Sequence, residues 1–166
     1  MGVFSRLRDI VNSNLNSMLE KAEDPEKLIK MMIMEMEDTL VEIKASAAGV
    51  MATRKKTERD LTRCRTRAGD WASKAQLALG KDREDLAREA LREKRFYLQQ
   101  TEAFQNEIGE FDKLIGQYQD DIRMLEEKLV EAREKHRVLV TRHIHAQEAT
   151  RLQKPVPKAE STPAAM

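Results

Sequence analysis

The chain has 166 residues, of which 36% are charged and only 4% aromatic, with net charge +1 and mean hydropathy −0.66. So few aromatics and so many charges argue against a thick globular core and suit long helices. Near-neutrality argues against a chain that binds nucleic acid by bulk charge. A single cysteine, Cys64, and no apolar run near about 18 residues argue against a disulfide scaffold and a membrane-spanning helix.

The chain opens on a segment that reads as one short helix, residues 1–22. Val3, Phe4, Leu7, Ile10, Val11, Leu15, Met18 and Leu19 fall on one half of a helical wheel. Arg6, Asp9, Asn12, Ser13, Asn16 and Ser17 fall on the other, Asn14 intrudes on the apolar arc, and Arg8 sits near its edge. Arg6, Arg8 and Asp9 interrupt the apolar residues, so the segment lacks the continuous apolar stretch of a secretion signal, and the expected address is the cytoplasm. An amphipathic helix of this kind can lie in a membrane interface, with Arg6 and Arg8 facing anionic headgroups. It can equally pack its apolar face on the rest of the protein or on another subunit. One such helix binds weakly and many in one assembly bind far better.

Asp24 and Pro25 mark the next boundary. Asp24 suits an N-cap, and Pro25 suits the first helical position, where its missing N–H costs nothing. From there the spacing predicts a helix over residues 25–79. Seven heptads run without a slip through Ile29, Ile33, Met36, Leu40, Ile43, Ala47, Val50, Arg54, Thr57, Leu61, Cys64, Ala68, Trp71, Ala75 and Ala78; thirteen of these fifteen positions are apolar. A turn is expected at about residues 80–82, with Gly80 just past the helix end as its C′ residue and Asp82 capping the next start. A second long helix over residues 83–152 carries the return set: Ala87, Ala90, Lys94, Tyr97, Thr101, Phe104, Ile108, Phe111, Ile115, Tyr118, Ile122, Leu125, Leu129, Ala132, His136 and Leu139.

A 3.5-residue apolar repeat of this length means a helix burying a narrow seam against another helix. The expected fold is therefore all-α: a long antiparallel coiled-coil hairpin, residues 25–152, preceded by the short amphipathic helix. A register pairing Ile29 with His136, Val50 with Ile115 and Ala78 with Ala87 sets large residues against small ones, with Ala47 facing Tyr118 and Ala68 facing Tyr97. It sets Arg54 and Thr57 against Phe111 and Ile108. Each arm of about 55 residues spans roughly 80 Å at about 1.5 Å per residue. Residues 153–166 contain Pro155, Pro157 and Pro163 and are expected to form a disordered Pro-rich tail.

Charge is organised along the arms. Residues 44–67 hold eight basic side chains and two acidic ones, net +6; residues 23–42 hold seven acidic and two basic, net −5. The basic stretch has no interleaved aromatic and faces Glu102, Glu107, Glu110 and Asp112. It therefore reads as a solvated, salt-bridged face with no nucleic acid partner.

No motif for chemistry emerges. His136 and His143 lie too far apart to share a metal ion, Cys64 has no base beside it, and no glycine-rich phosphate loop occurs. No cofactor, metal or catalytic residue is expected, and the chain does not read as an enzyme. Met31, Met32, Met34 and Met36 cluster at the start of the first arm, as adaptable packing or as an interaction surface.

Several stretches resemble the phage shock protein A family, whose fold is similar to the ESCRT-III membrane-remodelling proteins. They are the opening residues 1–7 with Asp9-Ile10-Val11-Asn12, residues 22–29 around Asp24-Pro25, residues 35–40 (Glu-Met-Glu-Asp-Thr-Leu), and residues 81–91 around Arg83-Glu84-Asp85-Leu86. The resemblance covers about residues 1–150. It implies a cytoplasmic protein, peripheral on the inner membrane, that answers envelope stress. It implies that the first helix binds anionic membrane lipids and that the hairpin associates with itself as a homo-oligomer. It also implies, as an alternative role, a regulatory adaptor whose hairpin binds and inhibits an AAA+ activator of sigma-54 transcription. Members of the family continue past the hairpin with helices that cross onto neighbours. Here the sequence turns Pro-rich after Leu152, which keeps lipid binding and hairpin-mediated binding as expectations and leaves the formation of rings or rods open.

Overall fold

The computed structural model describes residues 2–155, among which there are four helices and no strand. They are α1 (Val3–Asn12), α2 (Leu15–Glu20), α3 (Pro25–Gly80) and α4 (Glu84–Gln153). The two long helices pack antiparallel along their length, and α1 and α2 lie against the base of that hairpin. The tail beyond Pro155 lies outside the described residues.

Local chemistry accounts for each boundary. The Asp24 carboxylate accepts from the Lys27 N–H at 3.1 Å, Pro25 takes the first helical position, and Glu26 adds negative charge to the first turn. At the far end the chain reverses through a Schellman motif. The Arg83 N–H donates to the Ala78 carbonyl at 2.8 Å, and the Asp82 N–H to Leu79 at 3.1 Å. The left-handed residue of that motif is Asp82, with φ 54°. The sequence expectation put Gly80 at this end and Asp82 as the cap of α4. Instead, Gly80 is the last helical residue, and Arg83 is the N-cap, making no side-chain capping bond while its guanidinium donates to the Asp85 carboxylate.

Every heptad position read from the sequence is buried or half-buried in the hairpin. Ile29, Met36, Ile43 and Leu125 are fully enclosed, and Ala47, Leu61, Tyr118, Leu129 and Ala132 are buried with them. Each fully buried aliphatic side chain contributes about 1.5–3 kcal/mol. Size varies along the seam. Near the turn its buried positions are Ala68, Ala75, Ala87 and Ala90, with Trp71 and Tyr97 half-buried among them, and at the base they are mainly isoleucine, leucine and methionine, with Ala132. Ion pairs cross between the arms at Glu37–Arg133 (2.9 Å), Lys44–Glu126 (3.1 Å) and Arg54–Asp112 (2.5 Å). All are solvated and worth about 0–1 kcal/mol each. Hydrogen bonding to Asp112 raises the Arg54 pKa above its usual value.

Candidate functional site

The N-terminal segment is two helices rather than one. Ser13 leaves the helix with ψ 140°, and its hydroxyl donates to the Ile10 carbonyl at 2.6 Å. Asn14 caps α2, its side-chain oxygen accepting from the Ser17 N–H at 3.1 Å. Asn12-Ser13-Asn14 carries short polar side chains that bond local backbone and so compete with a continuous helix. Asn14, which intrudes on the apolar arc of a single helix, therefore has another role: it starts the second one.

The apolar face of this pair is turned onto the hairpin. Leu7, Ile10 and Leu15 are buried in one cluster with Ile29, Met36, Ile43, Tyr118 and Leu125, while Val3, Val11 and Leu19 pack half-buried at its edge. Phe4 stacks at a tilt on Tyr118 with ring centroids 5.5 Å apart, yet it is 47% exposed; Met18 is also exposed. Arg8 is exposed and Arg6 half-buried. Of the residues expected to meet lipid, Leu7, Ile10 and Leu15 are thus buried on the hairpin base and Val3, Val11 and Leu19 half-buried at its edge, while Phe4, Met18 and Arg8 stay exposed.

Polar contacts hold the pair in place. Arg6 reaches Glu42 of α3 at 2.5 Å. Lys128 of α4 donates to the Ser13 carbonyl at 2.7 Å, in the break between α1 and α2, and Lys135 donates to the Asn16 side chain. Asp121 lines the groove under α1 with Phe4, Leu7 and Arg8, and burial followed by the neighbouring Asp120 charge raises its carboxyl pKa. Thr39, off the two-helix seam, is fully buried, and its hydroxyl has no partner. Its burial follows from the third helix at this level. Sequence periodicity within α3 cannot show a partner that covers one short stretch.

The connector from Lys21 to Asp24 joins this docked pair to a helix that caps itself. Because Asp24 and Pro25 complete the start of α3 on their own, the hairpin does not need α1 or α2 to terminate it.

The other sequence candidates fall elsewhere. Met36 is buried in the seam, Met32 is half-buried, and Met31 and Met34 face outward. His136 is half-buried, His143 pairs with Gln147 at 2.9 Å, and His145 lies 3.9 Å from Glu148. No cluster among the described residues has the composition to hold a metal ion, and no described helix is long and apolar enough to cross a membrane. Within the basic stretch, Lys55 holds Glu58 at 2.8 Å, lowering that carboxyl's pKa, and Arg63 lies 3.3 Å from Asp60. Arg67 sits over the Tyr97 ring.

A model of the PspA/IM30 family matches residues 2–166. The chain is 34% identical over 153 residues to the membrane-associated protein Vipp1 of Nostoc punctiforme, covering 92% of this chain and 59% of that one. It is 31% identical over 153 residues to the chloroplastic membrane-associated protein VIPP1 of Arabidopsis thaliana, covering 92% and 46%. A phage shock protein A homolog of Deinococcus radiodurans is 33% identical over 147 residues, covering 89% and 66%. The chain thus spans about half the length of the first of these curated relatives, from 46% to 59%.

Proposed function

The chain belongs to the PspA/IM30 family, which is not a family of enzymes, and from that premise we propose a peripheral membrane protein whose α1–α2 pair leaves the hairpin to bind anionic lipid. The protein acts at the cytoplasmic face of the inner membrane and maintains its integrity under envelope stress. The hairpin supplies self-association, which multiplies the weak grip of a single amphipathic pair.

One observation carries the reading: the amphipathic pair is docked through the face that would enter a bilayer, onto a hairpin that caps itself. Leu7, Ile10 and Leu15 exchange one apolar environment for another when they move from the hairpin to acyl chains. The exchange is therefore close to balanced in hydrophobic terms, and modest forces decide it. Membrane binding lays Arg6 and Arg8 against anionic headgroups and gives up the contacts to Glu42 and Lys128. The relatives' names add support, since the Vipp1 proteins are called membrane-associated.

Self-association is supported by the transverse charge of the rod. α3 is basic over residues 44–67, and the opposing stretch of α4 carries Glu102 and Glu107, which belong to no ion pair among the described residues, beside Glu110 and Asp112, which are held within the chain by Lys113 and Arg54. Side-by-side copies gain by setting one against the other.

The test is co-sedimentation with phosphatidylglycerol vesicles for the full chain and for one lacking residues 1–24. Loss of binding on truncation is expected, and equal binding sinks the reading. A second reading, a regulatory adaptor whose hairpin inhibits a sigma-54 AAA+ activator, is favoured by the apolar residues exposed along the arms, Leu91 and Val130 among them. A pull-down from cell extract that recovers no ATPase counts against it.

A further inference from the structure

The two long helices bury one seam between them, but α3 carries a second apolar stripe on its outer side. Met31, Met34 and Val41 are 59%, 63% and 68% exposed, and with Asp38 they recur at steps of three and four residues. That is the spacing of a coiled-coil seam without a partner. It is also acidic. Asp38 lies within it and Glu35 beside it; both are exposed and belong to no ion pair among the described residues, within a stretch of net charge −5 over residues 23–42.

The opposite end of the rod has the complementary character. Beside the turn, Trp71, Leu77 and Leu86 line an open groove of about 360 Å³ with Lys74, Lys81, Arg83 and Glu89; Arg83 is held by Asp85 at 3.1 Å, which leaves Lys74 and Lys81 as the groove's uncommitted cations among the described residues. Leu77 and Leu86 are 61% and 49% exposed. Lys74 rests on the Trp71 ring, 4.1 Å from its centroid, and Lys81 has no carboxylate partner among the described residues. Residues 64–101 hold nine basic side chains against six acidic ones. A single hairpin cannot bring the two surfaces together, because they lie at opposite ends of its long helices.

We infer that the outer Met31–Met34–Val41 face of α3 docks in the turn-end groove of a second copy of this chain. The occupant is chosen by complementarity: an acidic helix with a heptad-spaced apolar stripe meets a basic groove with an apolar floor. Flexible methionines suit a groove shaped by another helix pair. The contact joins two different surfaces, so it is head-to-tail and propagates with concentration rather than closing as a dimer. It rests on the proposal above that the hairpin self-associates, and it adds to the side-by-side contact a second pair of surfaces at the two ends of the hairpin.

Light scattering of the full chain across a concentration series tests it with three variants: Lys74→Glu with Lys81→Glu, Glu35→Lys with Asp38→Lys, and all four together. These side chains are solvent-exposed, so circular dichroism is expected to match the parent in each. The parent is expected to grow in mass with concentration. Each pair of reversals weakens association by roughly tenfold or more, and the fourfold variant, with both charges exchanged, recovers it. If the parent associates and the paired reversals associate as tightly, the contact lies elsewhere, and only this inference falls. If the parent stays a monomer throughout, the self-association reading falls with it. If the turn-end reversal leaves mass unchanged but weakens binding to phosphatidylglycerol vesicles, the groove serves a membrane, and the inference is overturned.

Discussion

Lys128→Met should make the protein bind membrane more tightly, although it removes a cation and lies far from α1 in sequence. The Lys128 ammonium donates to the Ser13 carbonyl at 2.7 Å, its side chain is only 15% exposed, and Glu131 lies 3.6 Å away. A charged hydrogen bond of this kind contributes about 1.5–3 kcal/mol net. Partial exposure of the Ser13 carbonyl and its access to water once freed reduce this to about 1–2 kcal/mol. Methionine keeps the length of the stem and its packing, so the loss falls on docking of the α1–α2 pair. At about 1.4 kcal/mol per decade, the released fraction rises roughly 5–30-fold. While the docked form dominates, apparent vesicle affinity rises by the same factor, because the competent fraction divides the intrinsic constant. Half-saturation in phosphatidylglycerol vesicle titrations measures the change, and hydrogen exchange at residues 3–20 reports the release directly. The same substitution in a chain lacking residues 1–24 should do nothing. Unchanged half-saturation in the full chain, or a gain that persists in the truncated one, refutes the competition between hairpin and bilayer.

Ile43→Asp places an unpaired charge at a fully enclosed seam position and should cost about 4 kcal/mol or more, read as a large fall in melting temperature; an unchanged melting curve refutes the register. Asp82→Gly should stabilise the hairpin by about 0.5–1 kcal/mol in denaturant titrations, because Asp82 occupies the left-handed region at φ 54°. Asp121 has a raised pKa in the folded chain, so its proton is held more tightly there than in the unfolded chain. Its unfavourable contribution is absent below the ordinary 3.8 and fully present above the raised value. Asp121→Asn should therefore raise the melting temperature at neutral pH and lose that advantage as pH falls through this window, which scans from roughly pH 3 to pH 7 would follow.

The hairpin was legible residue by residue because its repeat is strict. A helix that meets one partner along its whole length shows that partner in every heptad, and no predicted seam position is exposed. What stayed illegible depends on contacts or geometry that leave no period. Thr39 is enclosed because a third helix crosses at one level, and a local cover of that kind has no repeat to detect. The break at Ser13-Asn14 had a signal, three short polar residues in a row, but the apolar wheel continues through it on both sides. The turn was placed within a residue or two. Glycine is the usual left-handed residue, yet here the chain takes one more helical step through Gly80 and puts the aspartate there. The docking of α1 was one of two alternatives open to the wheel. An amphipathic face states that it will be covered, and not by what.

The gradation of side-chain size along the seam gives the rod a soft end and a hard end. An alanine pair withdraws far less apolar surface from water than an isoleucine–leucine pair, at about 0.8 kcal/mol for each buried methylene of difference. Ala75, Ala87 and Ala90 therefore fasten the turn end weakly, while Ile29, Ile43, Leu125 and Leu129 clamp the other. Thermal opening should travel from the turn inward, like a clasp loosening at its tip, and amide exchange should slow steadily toward the base. Bending strain imposed on the rod would collect in its alanine third, leaving the platform under α1 undistorted.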